Sequence, residues 1–83
     1  MVIVEKPKYK ITVGKKAHYL PPREWDIFIA LYDAQGVVIS RENLAHDKAH
    51  DLRIIDQHIS RIRRKIGREH IRTVSTRGYA FAE

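Results

Sequence analysis

The segment IDQHISRIRRKIG, residues 55–67, constrains the fold of this chain more than any other stretch. Four isoleucines in it recur at intervals of four, three and four residues, namely Ile55, Ile59, Ile62 and Ile66. This spacing places them on one face of an α-helix, and so narrow an apolar stripe must pack against a core. We therefore predict a helix over about residues 52–66, ended by Gly67.

The opposite face of this predicted helix carries positive charge and no acid. Its members are Arg53, Gln57, Ser60, Arg61, Arg64 and Arg68. A face that is merely solvated usually mixes signs, because opposite charges three or four residues apart stabilise a helix. Clustered arginines favour a polyanionic partner, since planar guanidinium groups suit phosphates and the edge of guanine. An exposed helix with excess charge is the alternative.

The composition limits the classes of function. The chain has 83 residues, a formal net charge of +6 and no cysteine, which predicts one domain without disulfides or zinc–thiolate sites. The sequence contains no phosphate-binding glycine loop and no nucleophile motif, so we expect no catalytic residue, no enzyme activity and no cofactor. His46 and His50 have a spacing that could hold a metal ion, but their segment is predicted as a polar connector and we expect no metal.

Strands are predicted at both ends of the chain. Residues 8–13 alternate between apolar and polar side chains, and residues 17–20 can return beside them. Residues 71–75 and 79–82 are predicted as a β-hairpin joined by residues 76–78. The lysines of the first strands are explained better as a solvated face, which discourages aggregation, than as phosphate contacts.

Two further helices are predicted between these strands. Pro21 and Pro22 are expected to open the first, and Gly36 is expected to end it. Its core-facing residues are Trp25, Phe28, Ile29 and Tyr32. Residues 37–39 are predicted as a short strand. Ser40 is expected to N-cap a second helix that runs to about Asp47.

These elements predict an α+β chain that forms a single domain over residues 1–83. Residues 1–20 would supply a short N-terminal antiparallel sheet, residues 21–67 three helices, and residues 68–83 a hairpin. A short helix followed by a basic helix and a hairpin is the outline of a winged helix-turn-helix. In that fold the later helix enters the major groove of DNA, and the hairpin lies near the adjacent minor groove.

Four segments resemble the OmpR/PhoB-type effector domain of bacterial response regulators: LPPREWDIFIAL, VVISRENL, IDQHISRIRRKIG and IRTVSTRGYAF. The resemblance covers about residues 20–82 in order. It implies sequence-specific binding to double-stranded DNA and control of transcription. Its implied contacts on the third helix are Arg53, Gln57, His58, Ser60, Arg61, Arg63 and Arg64. Its implied backbone contacts are Ser40 and Arg41. Candidate contacts of the wing are Thr73, Ser75 and Arg77, although a contact by Arg77 is not carried over from the family. For His58, packing beneath the helix is an equal alternative.

The chain departs from the family pattern in three places. Ser75 stands where the family has its wing arginine, so Arg77 is the basic residue of the wing. The connector before the basic helix is several residues shorter, which leaves repression or occlusion open beside activation. No receiver domain is expected, and the N-terminal sheet has room for about two or three strands. Such a chain would be an excised domain or a stand-alone regulator of the kind that phages and mobile elements encode.

The expected protein is therefore a cytoplasmic regulator of transcription, associated with the nucleoid when it binds DNA. We expect a monomer in solution that pairs on DNA and has no contact with a membrane. The alternative is a protein-interaction module that docks on RNA polymerase or a host regulator through the acidic middle of the chain. RNA is less favoured, because the aromatic platform that stacks single-stranded bases is missing.

Overall fold

The computed structural model describes residues 1–45 and 52–82. In chain order the elements are β1 (Val2–Glu5), a 3₁₀ turn (Lys6–Lys8), β2 (Lys10–Val13), β3 (Lys16–Tyr19), α1 (Pro22–Asp33), α2 (Arg41–Leu44), α3 (Leu52–Ile66), a second 3₁₀ turn (Arg68–His70), β4 (Ile71–Val74) and β5 (Gly78–Phe81). The predicted α+β winged helix-turn-helix is confirmed, with an antiparallel sheet before the helices and a hairpin after them.

The N-terminal sheet is antiparallel in the order β1-β2-β3. β1 has no clear signal in the sequence, since a run as short as VIVE shows no periodicity; it becomes a strand by pairing, for example Val4 with Ile11. β2 begins at Lys10, two residues later than predicted, because Tyr9 adopts a left-handed φ of 52°. The Tyr9 ring instead lies edge-on to Trp25, with centroids 5.4 Å apart.

Helix α1 begins at Pro22, the second of the two prolines that were predicted to open it, because proline fits the first helical turn. Trp25 is buried against the core, and the helix ends at Asp33 rather than at Gly36. Gln35 and Gly36 have positive φ angles of 52° and 91°, so the chain already turns away from the helix axis there. The predicted C-cap role of Gly36 is therefore wrong by two residues, since Ala34 occupies the cap.

Helix α2 begins after Ser40, whose hydroxyl accepts a hydrogen bond from the Asn43 amide at 3.2 Å. The predicted N-cap is confirmed. The helix covers only Arg41–Leu44, because Ala45 is already extended, and the predicted connector at 46–51 lies outside the described residues. The predicted strand at 37–39 is reduced to one bridge, between Ile39 and Tyr79.

Helix α3 has the predicted bounds, and the hairpin β4–β5, which we call the wing, follows it. Gly78 is the first residue of β5 and not part of the turn, which spans residues 75–77. It has a φ of 139°, and a Cβ atom there would collide with the carbonyl group of Ile39, whose carbon would be 2.8 Å away. Glycine is therefore required because the wing passes directly against the segment before α2.

The core lies between α1, α3, the N-terminal sheet and the wing. Its most deeply buried side chains are Phe28, Ile11, Leu31, Ile59, Ile62 and Ile71. The isoleucine stripe of α3 is confirmed, since all four side chains predicted to face the core are buried. Across residues 1–45 and 52–82, no helix is long and apolar enough to cross a membrane.

Candidate nucleic-acid interface

The exposed side of α3 is basic along its length. We call it the outer face and define it by five residues that the structure leaves exposed: Arg53, Gln57, Ser60, Arg61 and Arg64. Opposite them the isoleucines are buried, so packing of the stripe determines which side chains point outward. Within the described part of the chain, no acid pairs with Arg61 or Arg64. These two guanidinium groups are thus available to an external anion.

The outer face continues into an open depression beside the helix. It is lined by Asp56, Ser60, Arg63, Arg64 and Arg68. Arg68 is exposed in the turn that follows α3, which extends the row of positive charge toward the wing. The sequence pattern places Arg68 on the same side of the helix, but the family resemblance implies no contact there.

Arg63 differs from the other arginines of α3 because its guanidinium group is occupied inside the molecule. Its Nη2 donates to the carbonyl oxygen of Ile71 at 2.8 Å and to Oγ1 of Thr73 at 2.7 Å. Its Nε lies 3.3 Å from the same carbonyl. The group also lies 5.6 Å from the ring centroid of Tyr79. Arg63 therefore sits between helix and wing, and not on the outer face.

Arg41 is held in a similar way by the acid of α3. Its Nε donates to Oδ1 of Asp56 at 2.9 Å, and the Tyr79 hydroxyl donates to the same oxygen. The hydrogen bond and charge of Asp56 raise the pKa of Arg41 above its usual value. Burial raises the pKa of Tyr79, and the neighbouring Asp56 carboxylate raises it further. The one acid of α3 thus neutralises part of the charge at the start of α2.

His58 lies on the inner flank of α3, turned toward α1. Its Nδ1 is 3.8 Å from Oε2 of Glu24, and both side chains are largely buried. Glu24 stands in the first turn of α1, where an acid is usually exposed, yet it is only 4% accessible. This placement favours the packing alternative for His58. The spacing of the apolar residues gives no sign of the buried pair, because neither residue interrupts a stripe.

The structure places the three predicted wing contacts in two different environments. Ser75 and Arg77 are exposed in the turn, where the Arg77 amide donates to the Val74 carbonyl at 3.0 Å. Thr73 is exposed, but its hydroxyl already accepts from Arg63. Arg72 on β4 is exposed as well, although the sequence patterns above do not single it out as a contact. Alternation along the strand could have identified it.

No group of histidines and acids in residues 1–45 and 52–82 could hold a metal ion. The pair His46 and His50, which prompted the metal hypothesis, lies outside the described residues.

Comparison with known proteins points to regulators of transcription. The family model of the transcriptional regulatory protein C-terminal region matches residues 15–81. The transcriptional regulatory protein CseB of Streptomyces coelicolor is 35% identical over 65 residues, which are 72% of this chain and 28% of CseB. The chain thus spans less than a third of this curated relative.

Two solved structures extend the comparison to the whole fold. The response regulator DrrB of Thermotoga maritima, an OmpR/PhoB homologue, has a TM-score of 0.87 at 26% identity over 99% of this chain and 42% of DrrB. The DNA binding domain of CpxR from E. coli has a TM-score of 0.79 at 25% identity over 99% of this chain and 90% of that domain. The chain belongs to the OmpR/PhoB-type family of transcriptional regulatory protein C-terminal domains, a family of regulators and not of enzymes.

Proposed function

We propose that this protein binds double-stranded DNA at specific sequences and regulates transcription through that binding. The observation that carries the proposal is the outer face of α3, where Arg61 and Arg64 have no counter-charge among the described residues and the other side of the helix is anchored in the core. The comparison with CpxR supports it, since its matched part is a DNA binding domain.

The major groove of B-DNA is about 12 Å wide and admits one α-helix. We propose that α3 enters this groove with its outer face. Gln57 can pair bidentately with adenine, and Arg61 and Arg64 can reach guanine or phosphate oxygens. Arg53 and Ser60 complete the face, and Arg68 adds a phosphate contact at its end.

The remaining contacts are proposed at the edges of this face. Ser40 and Arg41 would approach the phosphate backbone from the start of α2. Ser75 and Arg77, at the exposed turn of the wing, would approach the adjacent minor groove. Arg63, Thr73 and His58 already have neighbours within the fold, so we propose an indirect role for them in binding.

The test begins with selection of a binding site from a random-sequence duplex library. The selected duplex should bind with a log–log salt slope of roughly −4 to −6, because about five to seven phosphates each contribute about −0.9. Arg61→Ala should cost about 1–3 kcal/mol of binding free energy and relax discrimination at one base pair. Lys15→Ala, in the exposed turn between β2 and β3, is the matched control and should change little.

Failure of the selection would contradict the proposal. If no duplex is enriched, and a nuclease-treated bacterial lysate yields a stoichiometric protein partner, then the chain is an interaction module that uses this fold. If Arg61→Ala binds the selected duplex as tightly as the unmodified protein, the outer face is not the recognition surface.

We further propose that residues 1–83 act as one domain, in the cytoplasm, as a monomer that pairs on DNA. We propose the same regulation of transcription for any longer protein that contains this chain. A repeat within the selected duplex, together with a monomer mass in sedimentation analysis without DNA, is the expected outcome.

A further inference from the structure

Tyr79 is the residue at which the wing meets the helix-turn-helix. Its amide and carbonyl form an antiparallel bridge with Ile39, at 3.0 and 2.8 Å, just before α2 begins. Its hydroxyl donates to Asp56 on α3, and that carboxylate also binds Arg41 on α2. One wing residue is thus joined to the segment before α2 through its backbone and to α3 through its side chain.

Arg63 provides a second connection two helical turns further along. Asp56 and Arg63 are seven residues apart, so both lie on the same side of α3. Arg63 binds the β4 strand through Ile71 and Thr73, and its guanidinium group lies over the Tyr79 ring on β5. Both strands of the wing are therefore attached to α3 by side chains that the isoleucine stripe does not include.

These connections lie between the base of the wing and its exposed end. The base of the hairpin is anchored in the core by Ile71 and Phe81. Its tip has no such anchor, since Ser75, Thr76 and Arg77 are all exposed. Arg77 lies only two residues before Tyr79, roughly 7 Å along an extended chain. A rotation of the hairpin about its base would therefore move Arg77 relative to α3.

We propose that Arg63 and Asp56 are positioning residues, which hold the wing so that Arg77 contacts DNA while the outer face of α3 occupies the major groove. This inference rests on the proposed DNA-binding function. Arg63 acts through its fork of hydrogen bonds to β4, and Asp56 acts through the hydroxyl of Tyr79. Neither side chain needs to touch DNA for this role, and the contribution of Arg77 depends on both.

The test is a set of double-mutant cycles on the selected duplex, measured by fluorescence anisotropy at one salt concentration. Two background variants leave the net charge unchanged. Arg63→Lys keeps the charge but loses the planar fork, and Tyr79→Phe removes only the hydroxyl that binds Asp56. Each is combined with Arg77→Ala and, as the matched control, with Arg61→Ala on the outer face.

In the unmodified protein, Arg77→Ala should weaken binding about tenfold. In either background this effect should fall below about threefold, whereas the effect of Arg61→Ala should be unchanged. A purely structural role would leave both effects unchanged and would only weaken binding by the background variant itself, because a lower folded fraction scales every apparent affinity by the same factor. Thermal unfolding of each variant measures that fraction directly, and Tyr79→Phe serves alone if Arg63→Lys does not fold.

Three results would overturn the inference. The effect of Arg77→Ala could persist in both backgrounds, both effects could shrink equally, or Arg77→Ala could leave the affinity of the unmodified protein unchanged. In each case Arg61→Ala would still weaken binding, so the DNA-binding function itself would stand. If the unmodified protein bound no duplex at all, the proposed function itself would be refuted.

Discussion

The N-terminal sheet and the unit formed by α3 and the wing are both basic and both contain antiparallel strands, but they use their charges differently. In and beside the sheet, Lys6 pairs with Asp33 at 3.0 Å, and Lys8 and Lys10 lie 3.5 and 3.8 Å from Glu5. On the outer face of α3, two arginines lack such partners among the described residues, namely Arg61 and Arg64. The proposed interface therefore depends less on the number of positive charges than on their grouping, since Arg61 and Arg64 lie without an acid partner on one face of a helix whose other face is anchored in the core.

The same two regions differ in how tightly their chains approach other elements. At Gly14, in the turn between β2 and β3, a Cβ atom would meet nothing within 4 Å. At Gly78 it would collide with the backbone of Ile39 and Ser40, with carbon atoms of both residues 2.8 Å away. The sheet turn thus projects into open space, whereas the wing is pressed against the segment that leads into α2. This contrast leads to three predictions, which run from the largest expected effect to the smallest.

Gly78→Ala should lower the free energy of unfolding by about 4 kcal/mol or more, since the methyl group would collide with fixed backbone at a positive φ. Gly14→Ala, which has a φ of +61° but no neighbour, should cost only about 1 kcal/mol. Urea denaturation of both variants measures the difference. Equal costs would show that the wing can move away from Ile39 and is not pressed against it.

Neutralising two unpaired arginines should weaken DNA binding far more than neutralising two paired lysines. Arg61→Ala with Arg64→Ala should weaken binding to the selected duplex about a hundredfold or more, from about 1–3 kcal/mol for each side chain. Lys8→Ala with Lys10→Ala removes the same charge from the sheet and should change the affinity less than about threefold. Anisotropy titrations compare them, and comparable losses would mean that total charge governs binding.

The smallest effect concerns alkaline pH. The pKa of Tyr79 is raised in the folded protein by burial and by Asp56. Its protonated hydroxyl therefore stabilises the fold below the ordinary tyrosine pKa of about 10. This contribution is lost as the pH rises through the higher folded-state value. Above pH 10, as a rough limit, the stability of the unmodified protein should fall more steeply than that of Tyr79→Phe.

Tyr19→Phe is the matched control for this pH dependence, because Tyr19 is 61% exposed on the N-terminal sheet. An equal change of the alkaline slope of the unfolding free energy in Tyr19→Phe would show that the effect does not come from the Asp56 contact. Parallel slopes for the unmodified protein and Tyr79→Phe, measured by thermal unfolding across this range, would show that the Asp56 contact does not depend on the tyrosine proton.

Local patterns were sufficient for the long elements of the fold. The bounds of α3 follow from isoleucine spacing and Gly67, and the start of α1 follows from the pair Pro21 and Pro22. Short elements were less predictable, since β1 exists only by pairing with β2 and the predicted strand at 37–39 survives as a single bridge to Tyr79. A few residues carry too little periodic signal, and their state depends on partners that are distant in the chain.

The candidate site likewise contains residues that the local pattern located and one residue that it could not place. Gln57, Ser60, Arg61 and Arg64 lie where the helical pattern placed them, because burial of the isoleucines opposite fixes the rotation of α3. Arg63 sits between the buried stripe and the exposed face, so its identity as an arginine could not show whether it faces DNA or the wing. Its hydrogen bonds to β4 depend on a hairpin that begins eight residues later.

By itself, the amino-acid sequence determined the amphipathic helix, its positive face, the order of the elements and the resemblance to the family, because each of these depends on neighbours within one or two helical turns or on short motifs. Only the tertiary structure decided which charges are engaged within the fold. Asp56 neutralises part of Arg41, Arg63 is occupied by the wing, and Glu24 lies buried beside His58. These outcomes depend on atoms that are brought together only when the helices and the wing pack, since hydrogen bonds and ion pairs require contact distances that a sequence pattern does not specify.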